Sequence, residues 1–232
     1  MRSLGWWLAS VLLSAQSLPE RLAPILGVPY VVDAGEDEQG RCVLFTHPDQ
    51  PLPSKGYNCS GFVVAAARRL LGFQGSLTEA SQDRLGDSGP KAPLGQDWDF
   101  GWDLVLNLSE GHERHWLAPE GPHPVEGDGR SSRGFRVHDE AAWSALRPQL
   151  RADRVYLAVF NRVQKGRLKH HHVGVILKDG AGQLWFYQTL PKGRSHRLSL
   201  DSPQGMARLK VMFGPGESLR LLAVDPAPGS RR

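Results

Sequence analysis

Between positions 60 and 71 apolar residues recur at helical spacing, with Phe62, Val63, Ala66 and Leu70 on one side. Asn58 precedes the run as an N-cap and Gly72 follows as a stop, so the pattern predicts a helix whose N-terminus carries Cys59. Asp139 begins a second, shorter helix to about Arg147, with Ala142, Trp143 and Leu146 on its buried side and Pro148 ending it. From Arg154 the helical period gives way to short apolar runs, which predict strands at 155–160, 172–177, 184–188, 209–213 and 219–224. Lys165-Gly166, Asp179-Gly180 and Gly214-Pro215-Gly216 are the turns between them. Upstream, 30–32 is strand-like, and 35–56 reads as a polar loop punctuated by Pro48, Pro51 and Pro53. A helix followed by adjacent strands predicts an α+β domain with a mostly antiparallel sheet.

The segment 75–136 is rich in Gly, Pro and charge and has no sustained period, so it reads as a long insertion partly ordered by Trp98, Trp102 and Trp116. The first residues have the form of an export leader. Met1, Arg2 and Ser3 make a short positive region, 4–13 is apolar, and Ala15-Gln16-Ser17 supplies small residues for cleavage, which predicts an exported, periplasmic or extracellular protein. The competing reading of that stretch is a buried N-terminal helix. Its apolar run is too short for an ordinary membrane span, which takes roughly 20 residues. The organisation expected is therefore a signal peptide over 1–17 and one catalytic domain over 18–232.

Composition narrows the function classes. A chain of 232 residues, 40% hydrophobic, can bury one sizeable core. Its 28 Lys and Arg against 24 Asp and Glu leave a formal +4 without a basic run, so nucleic-acid binding is not indicated. The two cysteines, Cys42 and Cys59, could pair in an oxidising compartment. The helix around Cys59 favours a different role. A thiol attacks an amide as thiolate, and the positive end of a helix dipole lowers its pKa. The base must then come from the nine histidines.

Alternation along the strand that follows His170 puts His172, Gly174 and Ile176 on one face and His171, Val173, Val175 and Leu177 on the other. Gly174, lacking a side chain, would let the Cys59 helix approach. A hairpin symmetric about Gly180 would set Gln188 opposite His172, where its amide oxygen could orient the ring.

Asn58-Cys59-Ser60-Gly61-Phe62-Val63 resembles the nucleophile motif of the NlpC/P60 family, and His172-Val173-Gly174-Val175-Ile176-Leu177 resembles its histidine strand. Tyr187-Gln188-Thr189 falls where that family places its third polar residue, and Pro29-Tyr30-Val31-Val32 is similar to its upstream Pro-Tyr motif. The resemblance implies a papain-like fold with a nucleophile helix packed on the sheet. It also implies Cys59, His172 and Gln188 as catalytic residues, Tyr30, Asn58 and Ser60 as substrate-binding residues, and no cofactor. The substrate implied is a peptidoglycan peptide, cut at an amide often lying between D-glutamate and diaminopimelate. Asn58 stands where the family usually has Asp, a residue tied to recognition of a substrate amino terminus. Two alternatives remain from the residues themselves: a zinc hydrolase using His170, His172, His112 and His115, and a catalytically inactive wall-binding module. Cys59 precedes His172, opposite to the order in lecithin:retinol acyltransferase-like relatives of the fold. The sequence leaves the oligomeric state open.

Overall fold

The computed structural model describes residues 16–88, 98–125 and 129–226. The predicted leader therefore lies outside the described residues except for Gln16 and Ser17. Ser17 begins helix α1 (Leu18–Leu22), its N–H and hydroxyl both donating to the Glu20 carboxylate at 2.7 and 2.9 Å. Among the described residues no helix is long and apolar enough to cross a membrane.

The stretch 35–56, expected as a loop, forms a small antiparallel sheet of β1 (Ala34–Glu36), β2 (Cys42–Leu44) and β3 (His47–Pro51). Short strands rich in Gly, Pro and acid carry little alternation, which is why the pattern did not show them. The strand expected at 30–32 is reduced to a bridge between Tyr30 and Tyr57, and Val32 is 73% exposed.

Next comes α2 (Cys59–Leu70), within one residue of the predicted helix, followed by Gly72 at φ 76° as its stop. The segment expected as an insertion is built into the fold instead. It supplies α3 (Leu77–Ala80), α4 (Phe100–Leu108), β4 (Arg114–Ala118), β5 (Gly121–His123) and β6 (Phe135–Arg136). Trp98, Trp102 and Trp116 are all buried. Helix α4 is apolar nearly all round, so it lacks the amphipathic stripe on which a periodicity argument relies.

The remaining elements are α5 (Glu140–Leu146), capped by Asp139 as expected, then β7 (Val155–Gln164), β8 (Arg167–Lys178), β9 (Leu184–Gln188), β10 (His196–Ser199), α6 (Pro203–Met212) and β11 (Ser218–Val224). The eight-stranded main sheet runs β10-β9-β8-β7-β11-β4-β5, with β6 also paired to β11, and its pairings are antiparallel. The chain is thus α+β with a mostly antiparallel sheet. The strand expected at 209–213 is the end of α6. Ser202 caps that helix and Pro203 opens it; Leu209 and Phe213 are buried while Val211 between them is 86% exposed.

Both faces of the sheet are covered. Val155, Leu157, Val159, Val173, Val175 and Leu177 join a core with Phe62, Val63, Ala66 and Leu70 of α2 and with α4. Tyr156, Ala158, Phe160, Ile176 and Phe186 join a second core with Trp143 of α5 and with Leu209 and Phe213. Alternation along β7 and β8 assigns each side chain to its layer.

Candidate functional site

The first turn of α2 is pinned to β1. Asn58 donates its backbone N–H to the Ala34 carbonyl at 3.0 Å, and its side-chain oxygen accepts from the Gly61 N–H at 2.7 Å. Gly61 is what permits the approach: a Cβ there would collide with the Ala34 carbonyl oxygen and lie 2.6 Å from the Gly35 Cα. The close-approach glycine of the helix is therefore Gly61, and the expectation for Gly174 needs correction. Over Gly174 lies the Phe186 ring of the neighbouring strand, which a Cβ would strike.

Cys59 is half-buried and Cys42 is buried, and both are free. Burial pushes the Cys59 thiol up, yet its value comes down to about 7. A hydrogen bond to His172 and the charge of that ring act first, with the Ser60 hydroxyl and the Val173 N–H adding to them. The Val173 N–H is available because the β8–β9 ladder runs only as far as Val175 and Tyr187. Ser60 is buried, its oxygen 3.9 Å from the Cys59 sulfur.

His172 Nε2 donates to Gln188 Oε1 at 2.9 Å, which leaves Nδ1 as the nitrogen that can exchange a proton with the thiol. The two residues meet, but not as direct neighbours. Val175 pairs with Tyr187 and Ile176 with Phe186, so the hairpin centres on 181 and Gln188 falls level with Gly174. The turn occupies 179–183, where the Asp179 carboxylate accepts from the Ala181 and Gln183 N–H groups and lengthens the loop expected around Gly180. The resulting shift of two residues preserves the face. His172 thus reaches Gln188 diagonally, past the position that Gly174 leaves without a side chain. Its ring lies 5.6 Å from Phe160 and 5.2 Å from Phe213, which are themselves stacked at 3.8 Å. Gln188 Nε2 donates to the Met212 sulfur at 3.2 Å. Neither Met212 nor Phe213 stood out in the sequence, because their run reads as a strand.

The three consecutive histidines part company at a β-bulge. Phe160 pairs with His172 and Asn161 with His170, so His171 is an extra residue in β8 and the expected alternation breaks there. His170 is buried, bonds the Arg130 carbonyl, and has its pKa lowered to about 4, chiefly by burial. His171 donates to the buried carboxylate of Glu217 at 2.6 Å. His112 bonds the Asp225 carbonyl, and His115 faces Arg154. The histidines of the zinc alternative therefore turn to separate partners. The one cluster of metal-ligand type among the described residues is Asp83, Asp87 and Asp99, where Arg130 bridges Asp87 and Asp99.

Tyr30 is brought to the site as well. Burial raises its phenol pKa and the Cys59 charge raises it further, so the hydroxyl lies within electrostatic range of the thiol. A cavity of about 460 Å³ opens beside the start of α2, with Asn58, Ser60, Phe45, Phe100, Asp33 and Lys169 in its walls. A larger one of about 640 Å³, walled by Trp116, Phe135 and Arg220, contains none of these site residues. No family model, curated protein or solved structure matches the chain.

Proposed function

We propose that the chain is an exported cysteine hydrolase of papain-like, NlpC/P60 type that cuts amide bonds in peptidoglycan peptides. The observation that carries the reading is the relay from the Cys59 thiol through His172 to the Gln188 amide oxygen, with the thiol lowered to about 7. A thiol, a base and a polar group that orients the base are the parts nucleophilic amide cleavage requires.

In this mechanism His172 Nδ1 takes the thiol proton, and the Cys59 sulfur attacks the amide carbonyl. The Cys59 N–H at the first position of α2 donates to the developing oxyanion, where the helix dipole also favours negative charge. His172 then gives its proton to the leaving amine as the C–N bond breaks, forming a thioester. Water, deprotonated by His172, cleaves the thioester and returns the thiol. Gln188, neutral and fully buried, keeps the ring in the tautomer this requires. The substrate peptide enters along the cavity beside Asn58 and Ser60, with Tyr30 near the thiol.

Turnover of a defined muropeptide, followed by mass spectrometry with and without EDTA, tests the proposal. Cys59→Ala and His172→Ala are expected to be inactive and Gln188→Ala impaired, while chelator leaves the wild type unaffected. Full activity in Cys59→Ala, or activity lost in EDTA and restored by zinc, would replace the cysteine mechanism with a metal one.

A further inference from the structure

The Gln188 amide presents an oxygen on one side and an NH2 on the other, and exchanging them would reverse its effect on His172. With the oxygen toward the ring, His172 carries its proton on Nε2 and keeps Nδ1 free to act as base. With the NH2 toward the ring, Nε2 would have to accept and Nδ1 would hold the proton, so the thiol would face a donor. Gln188 is fully buried, so protein groups decide between the two orientations. On the side away from His172 its partner is the Met212 sulfur, 3.2 Å from Nε2. A thioether has lone pairs and no proton, so it accepts and never donates.

We infer that Met212 is a positioning residue of this site: its thioether selects the amide orientation of Gln188, and through it the His172 tautomer that can deprotonate Cys59. The inference rests on the Cys59–His172–Gln188 reading above, but concerns a residue outside it. The fold gives Met212 a defined place. It ends α6, whose start is seated on the end of β10 through Gly205, where a Cβ would collide with the Ser199 carbonyl. Phe213, the next residue, stacks on Phe160 and touches the His172 ring, so helix end and imidazole are held as one unit. Leucine at 212 would conserve most of the volume while removing the acceptor, leaving the amide free to adopt either orientation.

The test requires no substrate, so its outcome is separable from that of the muropeptide assay. Ring-nitrogen NMR of His172 in the wild-type protein is expected to show the Nε2–H tautomer, and in Met212→Leu a mixture of tautomers. Iodoacetamide labelling of Cys59 at neutral pH should slow roughly twofold in Met212→Leu, because an even mixture of tautomers leaves about half of the molecules with Nδ1 free to act as base. Val211→Ala, at the exposed neighbouring position, should label like wild type. A single Nε2–H tautomer and an unchanged labelling rate in Met212→Leu would overturn the inference. So would an Nδ1–H tautomer in the wild type, even if the variant does not fold.

Discussion

Replacing His172 by glutamine would remove the imidazole while leaving an amide N–H able to bond Gln188. Two of the causes that lower the Cys59 thiol, the hydrogen bond and the charge, come from that ring, whereas the largest opposing cause, burial, remains. The expected midpoint for thiolate formation therefore moves from about 7 to the ordinary 9.0 or above. That displacement corresponds to ~3 kcal/mol of differential stabilisation of the thiolate. At neutral pH the thiolate fraction would fall from about one half to about one in a hundred. The rate of alkylation falls less, because a more basic thiolate is intrinsically more nucleophilic; that recovers about eightfold and leaves a net loss of roughly sixfold. The midpoint is consequently the decisive quantity. It is read from iodoacetamide labelling followed by mass spectrometry across pH 5 to 10, with circular dichroism to establish that His172→Gln is folded. A variant whose midpoint coincides with that of the wild type, or a wild-type midpoint at 9, would refute the coupling of His172 to the thiol.

Two further outcomes follow from packing and charge. Gly61→Ala forces a methyl into the Ala34 carbonyl and toward Gly35, and should cost about 3 kcal/mol in urea unfolding; a loss under 1 kcal/mol would mean that α2 does not rest on β1 as described. Burial, and then the Asp99 charge, raise the Asp103 carboxyl from 3.8 to about 7, so between those values the folded state keeps a proton the unfolded chain has lost. Stability from this group is complete below about pH 4 and lost as pH rises through 7. Asp103→Asn preserves the acceptor for the Arg84 N–H, and should raise Tm at pH 8 while changing it little at pH 4. An equal change at both would count against the shifted carboxyl.

Local signals were legible in the sequence wherever one residue type determines the backbone. Asn58 and Asp139 cap their helices, Gly72 ends α2, and Lys165-Gly166 turns β7 into β8 with both residues at positive φ. Cys59 follows from its place behind the Asn58 cap, whereas His172 and Gln188 follow from strand alternation and a hairpin count, and the three lie together although that count is off-centre. What stayed hidden depends on non-local accommodation. The bulge at His171 is a relation between β8 and β7 that neither strand announces alone. The hairpin centre depends on how Asp179 satisfies two N–H groups, and a count from Gly180 misses it by one position. Helix α6 was masked because 209–213 is apolar enough for a strand; its exposed Val211 appears only once Ser202 and Pro203 are recognised as its start. The segment 75–136 hides α4 for the opposite reason, since a helix buried on most sides shows no polar face.

The two cores of the sheet divide the reactive centre between them. Cys59 packs with the layer that contains α2, whereas His172 stands against Phe160 and Phe213 in the other. His172 is carried by β8, whose Val173 and Val175 pack with α2, so the layer of α6 and the Gln188 of β9 contribute the orientation of the ring and not its presence. In the proposed hydrolase, loosening α6 would therefore weaken the base without unseating the nucleophile, a form of control that acts through packing.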